Sequence, residues 1–154
     1  MVKKVVFLLL SVMLACSALL SACANSTEQI DSYTITTPYV YPVIPGTDEW
    51  NSLSMDERIA LSHVDESVVK NMTTDAVLIT TLNYPFIVNI FAYGKVNEGI
   101  NAVKGYCSPL AELLKRDDAL QVISSYLNET ADTESVGYLV ADDVREYIET
   151  SKFT

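Results

Sequence analysis

Ser108-Pro109-Leu110-Ala111-Glu112-Leu113-Leu114-Lys115-Arg116-Asp117-Asp118-Ala119-Leu120 reads as the joint between two helices. Ser108 suits an N-cap and Pro109 the first helical position, where the missing N–H of proline costs nothing. Leu110, Leu113 and Leu114 are spaced i, i+3, i+4 and share one face. Lys115 and Arg116 fall in the last turn, where the helix dipole favours cations. Asp117 suits the cap of the next helix, whose apolar stripe is Leu120, Val122, Ile123, Tyr126 and Leu127. Upstream, 97–106 carries Ile100, Val103 and Tyr106 or Cys107 on one stripe, with Asn101 and Lys104 off it. Downstream, Asp132 to Glu134 opens a last helix with Val136, Leu139, Val140, Val144, Tyr147 and Ile148 inward, its first turn weakened by Gly137.

The N-terminal half carries further start and stop signals. Ser54-Met55-Asp56-Glu57 is a capping box, with Met55, Ile59 and Ala60 or Leu61 expected inward. Asp65 or Glu66 opens a short turn through Val68, Val69 and Met72. Thr73 suits the N-cap of the apolar segment 76–93, and Asn83-Tyr84-Pro85 interrupts it, because proline disfavours helix in the residue before it. Two helices with a shared buried face are expected there; a β-hairpin is the rival, given the Val, Ile, Thr and Phe content. Trp50, the one Trp, is expected as a core anchor. The predicted fold is all-α: six or seven short helices packed as stacked antiparallel hairpins, with a solenoid-like array as one form of it. Residues 113–120 resemble the helix joints of armadillo- and HEAT-like arrays, although no second copy recurs at a fixed period.

Before the helices, 24–46 is rich in hydroxyls, tyrosine and proline. Its first half suits a flexible spacer. Its second half, with Tyr33, Tyr39, Tyr41, Val43 and Ile44, is expected to run extended across the first helices and bury there, or to offer a partner a strand. Its three prolines argue against a central strand.

The chain opens Met1-Val2-Lys3-Lys4, followed by an apolar run over 5–20 and then Ser21 and Ala22, the pattern of an export signal. That run is shorter than the ~20 residues needed to span a bilayer. Leu20-Ser21-Ala22-Cys23 resembles the lipobox of bacterial lipoproteins. The resemblance implies cleavage before Cys23, lipidation of its sulfur, often acylation of the new amine, and a cell-membrane or outer-membrane location outside the cytoplasm. Two or more acyl chains anchor stably where one does not. Ala22-Cys23-Ala24 also fits ordinary signal cleavage, which would discard Cys23 and release the protein. The expected organisation is 1–22 signal peptide, 23–46 tether and 47–154 helical domain. The sweep from Trp50 through Asn83-Tyr84-Pro85 to Arg116 is similar to uncharacterised bacterial surface lipoproteins, a resemblance that implies no particular activity.

Removing residues 1–22 from a chain of 154 leaves 132, enough for one domain with a modest core. The chain has net charge −10, and the signal carries Lys3 and Lys4 and no acid, so the remainder stands at −12. That balance argues against nucleic acid and against lying on anionic lipid. Cys107 is the one cysteine beyond the signal and anchor, so the domain is expected to hold no internal disulfide, with Cys107 buried as a small hydrophobe. His63 is the one histidine, too few to assemble a triad or, with one Cys, a zinc site; no metal or cofactor is expected. The nine tyrosines are the unusual feature, with Tyr84, Tyr93, Tyr106 and Tyr126 as candidate binding residues. The predicted function is a lipid-anchored cell-surface module that binds a protein, peptide or glycan, with an accessory subunit of an envelope complex as the alternative; an enzyme ranks last.

Overall fold

The computed structural model describes residues 33–151. The expected signal peptide, the motif Leu20, Ser21, Ala22 with Cys23, and the first half of the tether lie outside the described residues, as does the chain end after Ser151. Eight α-helices follow in order: α1 Asp48–Ser52, α2 Met55–Leu61, α3 Glu66–Lys70, α4 Thr74–Leu82, α5 Val96–Val103, α6 Ser108–Leu113, α7 Ala119–Glu129 and α8 Val136–Ser151, with a 3-10 helix at Ile87–Ala92 between α4 and α5. The fold is all-α, with one or two more helices than the stripes predict because α1 and α3 are single turns. The segment over 76–93 is helical; its second half winds as the 3-10 helix after the Pro85 break, so no hairpin forms there.

α4 is the centre. It packs against α6, α7 and α8, while α5 lies on the 3-10 helix and α8 folds back over both. The array therefore closes around α4 and does not run on as an open stack. α4 buries residues on all sides, Thr74, Ala76, Val77, Leu78, Thr80 and Thr81, as a helix enclosed by others must. Thr73 caps it, accepting from Ala76 N at 3.3 Å. The buried hydroxyls of Thr80 and Thr81 donate back to Ala76 O at 2.7 Å and Val77 O at 2.9 Å, which removes the cost of burying unpaired polar groups.

The extended segment docks on this centre. Ile35 forms a single parallel bridge with Met72, and Tyr39 N donates to Thr80 Oγ1 at 2.9 Å. Tyr41 and Val43 are buried as expected, but Tyr33 and Ile44 are exposed. The contacts fall on α4 and the turn before it. Pro45-Gly46 makes a turn, with Gly46 at φ 89°, a conformation that suits glycine.

Three local expectations change. Ser108 is the first residue of α6, not its cap; its hydroxyl donates to Val64 O at 2.6 Å and ties α6 to the turn before α3. Asp118, not Asp117, precedes α7, and its carboxylate accepts from Thr74 Oγ1 at 2.7 Å across the core. Arg116 lies past the end of α6. Its guanidinium donates to Val69 O and Lys70 O at 3.3 and 3.2 Å, capping the carbonyl end of α3. Its Nε lies 2.8 Å from Glu112 Oε1, an ion-pair contact too bent for a hydrogen bond.

Among the described glycines, Gly99 on α5 is the most closely approached. A Cβ there would stand 1.9 Å from Ile90 O, backbone that cannot step aside. Gly99→Ala is expected to destabilise by on the order of 3 kcal/mol in chemical denaturation, despite the better helix propensity of alanine. Gly94→Ala, with open space around it, should leave the midpoint nearly unchanged. Equal midpoints for the two variants would contradict this packing.

Candidate functional site

The capping box that starts α2 is fully formed: Ser54 Oγ accepts from Glu57 N at 3.4 Å, and Ser54 N donates to Glu57 Oε2 at 2.8 Å. The helix it launches buries none of its residues. Met55 is 57% exposed, Ile59 55% and Leu61 37%, so the expectation that this stripe faces the core is corrected. The anchoring lies at its flanks. The Arg58 guanidinium donates to Trp50 O at 2.9 Å and stands over the Trp50 ring at 5.2 Å, while Val64 is buried just beyond. Held by those flanks, α2 forms one wall of a half-open groove of about 1110 Å³. The α5–α6 connection, with Lys104, Tyr106 and Cys107, forms another side, Tyr84, Phe86 and Asn89 also line it, and His63 and Glu66 stand at its edge toward α3.

Tyr84 and Cys107 are almost wholly buried and make the base. Tyr84 stands in a run of aromatic contacts. Tyr39 meets Tyr41 at 5.1 Å between ring centroids, Tyr41 meets Tyr84 at 5.9 Å, Tyr84 meets Phe86 at 6.0 Å, and Phe86 meets Trp50 at 5.3 Å. Tyr106 branches from Tyr84 at 6.4 Å and is 49% exposed. Its hydroxyl accepts from Asn89 Nδ2 at 3.4 Å. Edge and tilted contacts of this kind stabilise by ~1 kcal/mol each beyond burial. They fix the base of the groove through the extended segment.

Of the four candidate tyrosines, the structure brings Tyr84 and Tyr106 together in the groove. Tyr93 is exposed after the 3-10 helix, and Tyr126 packs against the core from α7; neither lines the groove. Met55, Ile59 and Phe86 are the large apolar lining residues that sequence reasoning missed. An apolar stripe looks the same whether it meets the core or solvent, so periodicity alone could not have found them.

The groove's chemistry is apolar and uncharged at its base. Burial pushes the Cys107 thiol up to about 12, against one weaker opposing hydrogen bond. Burial likewise raises the Tyr41 and Tyr84 phenols, with Cys107 the next contributor to both. Tyr41 donates its hydrogen bond to Thr80 O at 3.2 Å. His63 also lines the groove, but a thiol held this firmly protonated is no nucleophile near neutral pH. Among the described residues, no three His, Cys, Asp or Glu side chains are grouped to hold a metal ion.

With Cys16→Ser and Cys23→Ser leaving Cys107 as the one thiol, a thiol reagent at pH 8 meets a thiolate fraction on the order of one in ten thousand. Labelling is expected to proceed at the rate of unfolding and to complete at once in denaturant. Rapid labelling of the native chain would show the base of the groove to be open and its thiol activated.

No family model matches the chain, and neither a curated protein nor a solved structure matches it. What the groove can do is therefore read from its own residues.

Proposed function

We propose that the chain is a lipid-anchored cell-surface interaction module, held to the membrane through Cys23, whose groove between α2 and the α5–α6 connection takes apolar side chains of a protein partner. The observation that carries this reading is the unburied face of α2: Met55 and Ile59, each more than half exposed, stand beside a groove based on Tyr84 and Phe86. Burying such side chains contributes ~1.5–3 kcal/mol apiece, so leaving them open forgoes stability that a partner can recover. A groove of about 1110 Å³ exceeds the roughly 300–1,000 Å³ of small-molecule pockets and suits a peptide segment. The mostly apolar lining, with Met55, Ile59, Tyr84, Phe86 and Tyr106, favours a protein over a glycan. The likeness of Leu20-Ser21-Ala22-Cys23 to a lipobox supports the lipid on Cys23 as the attachment.

A second reading, an accessory subunit of an envelope complex, draws on a different surface. Val88 and Phe91 stand three residues apart on the 3-10 helix, where such positions eclipse. Both are exposed, as is Tyr93 just after them. A further apolar ridge outside the groove suits a protein with more than one neighbour.

The test is photo-crosslinking in living cells from a probe residue at Ile59, with Leu139 on α8 as the exposed comparison site. A single dominant, saturable protein adduct from position 59, absent from position 139 and lost with the detergent-phase partitioning of the chain on Cys23→Ser, is the expected result. Equal adducts from both positions, or an aqueous-phase protein regardless of Cys23, would overturn the module or its anchor respectively.

A further inference from the structure

The charges that line the groove are not all compensated. Glu66, the acid of the lining, pairs with Lys70 at 3.3 Å. Lys104, on the α5–α6 connection, makes no ion pair among the described residues. Its ammonium donates to the Tyr147 hydroxyl at 3.3 Å and stands 5.8 Å from the centroid of that ring. Tyr147 sends its own proton to Asn101 Oδ1 at 2.9 Å, which leaves its oxygen to accept from Lys104. These neutral contacts position the ammonium without cancelling its charge, and two N–H donors remain on it. Tyr106, two residues on, accepts from Asn89 Nδ2 at 3.4 Å and keeps its own proton to donate. His63 carries either no charge or the same sign as Lys104. Met55, Ile59 and Phe86 therefore offer apolar contact, and Lys104 with Tyr106 offers donors to an anion, on one groove. The whole chain carries 20 acids against 10 bases, which disfavours a partner that is acidic throughout. Exposed charges more than ~8 Å apart are largely screened at physiological salt, so that repulsion is weak against one direct contact.

Resting on the reading of the groove as a docking site, we propose that its occupant is an apolar protein segment with one acidic side chain: its apolar residues lie against Met55, Ile59 and Phe86, and its carboxylate meets the Lys104 ammonium and the Tyr106 hydroxyl. Apolar contact supplies most of the affinity. The lysine sets the register and direction of the segment, as charged groups at interfaces do. An exposed ion pair of this kind is worth up to about fivefold in affinity.

The experiment selects short peptides from a random display library on the full-length chain in phosphatidylcholine nanodiscs, after depletion on empty discs. The expected winners carry large apolar residues and one Asp or Glu. A fluorescent winner is then compared by anisotropy with the same peptide bearing Gln in place of that acid, which should bind roughly three- to fivefold more weakly. On Lys104→Gln, which keeps a donor for Tyr147, the two peptides should bind equally, and on Lys104→Glu the Gln peptide should bind better. Lys95→Gln, at an exposed lysine outside the lining, should leave the original difference intact. Met55→Ser with Ile59→Ser should abolish binding of both peptides. Winners without an acid, or a difference that survives Lys104→Gln, with binding still dependent on Met55 and Ile59, would overturn the acidic occupant and leave the docking site standing. Winners indifferent to Met55 and Ile59, or no winners at all, would overturn both.

Discussion

Thr80 sits at the centre of the fold with its one hydroxyl serving two bonds. It donates to Ala76 O within α4 and accepts from Tyr39 N of the extended segment. Its carbonyl receives the Tyr41 hydroxyl. A helix enclosed by α6, α7, α8 and the extended segment can carry polar side chains only if each is paired; Thr80 and Thr81 find carbonyls within α4, and Thr74 finds Asp118. From the pairing at Thr80 follows the position of Tyr41, from Tyr41 that of Tyr84, and from Tyr84 the base of the groove. The extended segment that was expected to lie on the first helices is instead a component of the core, and through its tyrosines it supports the candidate site.

Two parts of the molecule are built on opposite principles. Around α4, α5 and α8, side chains interlock until Gly99 has no room for a methyl group against Ile90. Tyr147 fixes α8 to α5, donating to Asn101 Oδ1 at 2.9 Å and accepting from Lys104. α2 buries none of its own residues, and this seven-residue helix depends on its capping box, on Arg58 and on the buried residues that flank it. Isolated helices this short are not stable in water, so those flanking contacts hold α2 in place with its apolar face unused. A tightly packed frame carrying one lightly attached apolar helix is a suitable arrangement for docking, because the partner's contacts can reorder α2 without disturbing the core.

Much of this was legible in the chain. The capping box at Ser54 and Glu57, the cap at Thr73 and the Pro85 break are local signals, and the structure places those helix ends accordingly, whereas α7 starts after Asp118 and α8 only at Val136, with Val136 and Leu139, expected inward, exposed. What was not legible is what each face meets. Ser108 and Asp118 carry good capping chemistry, yet their side chains reach residues 44 positions away, contacts that no local pattern encodes. Met55 and Ile59 have the spacing of a buried stripe and remain open because no later element covers them. Residue type alone points to Tyr84, Tyr93, Tyr106 and Tyr126 alike, and the fold brings only Tyr84 and Tyr106 together in the groove.

The central claim is that α2 is attached and unburied while α4 carries the stability of the fold. Hydrogen–deuterium exchange of the full-length chain, comparing amides of Met55–Leu61 with those of Thr74–Leu82, tests it most directly. Amides in α2 should exchange through local opening, orders of magnitude faster than those in α4, whose exchange should follow global unfolding. Protection of α2 equal to that of α4 would contradict this account and, with it, the proposal that the groove is a docking surface.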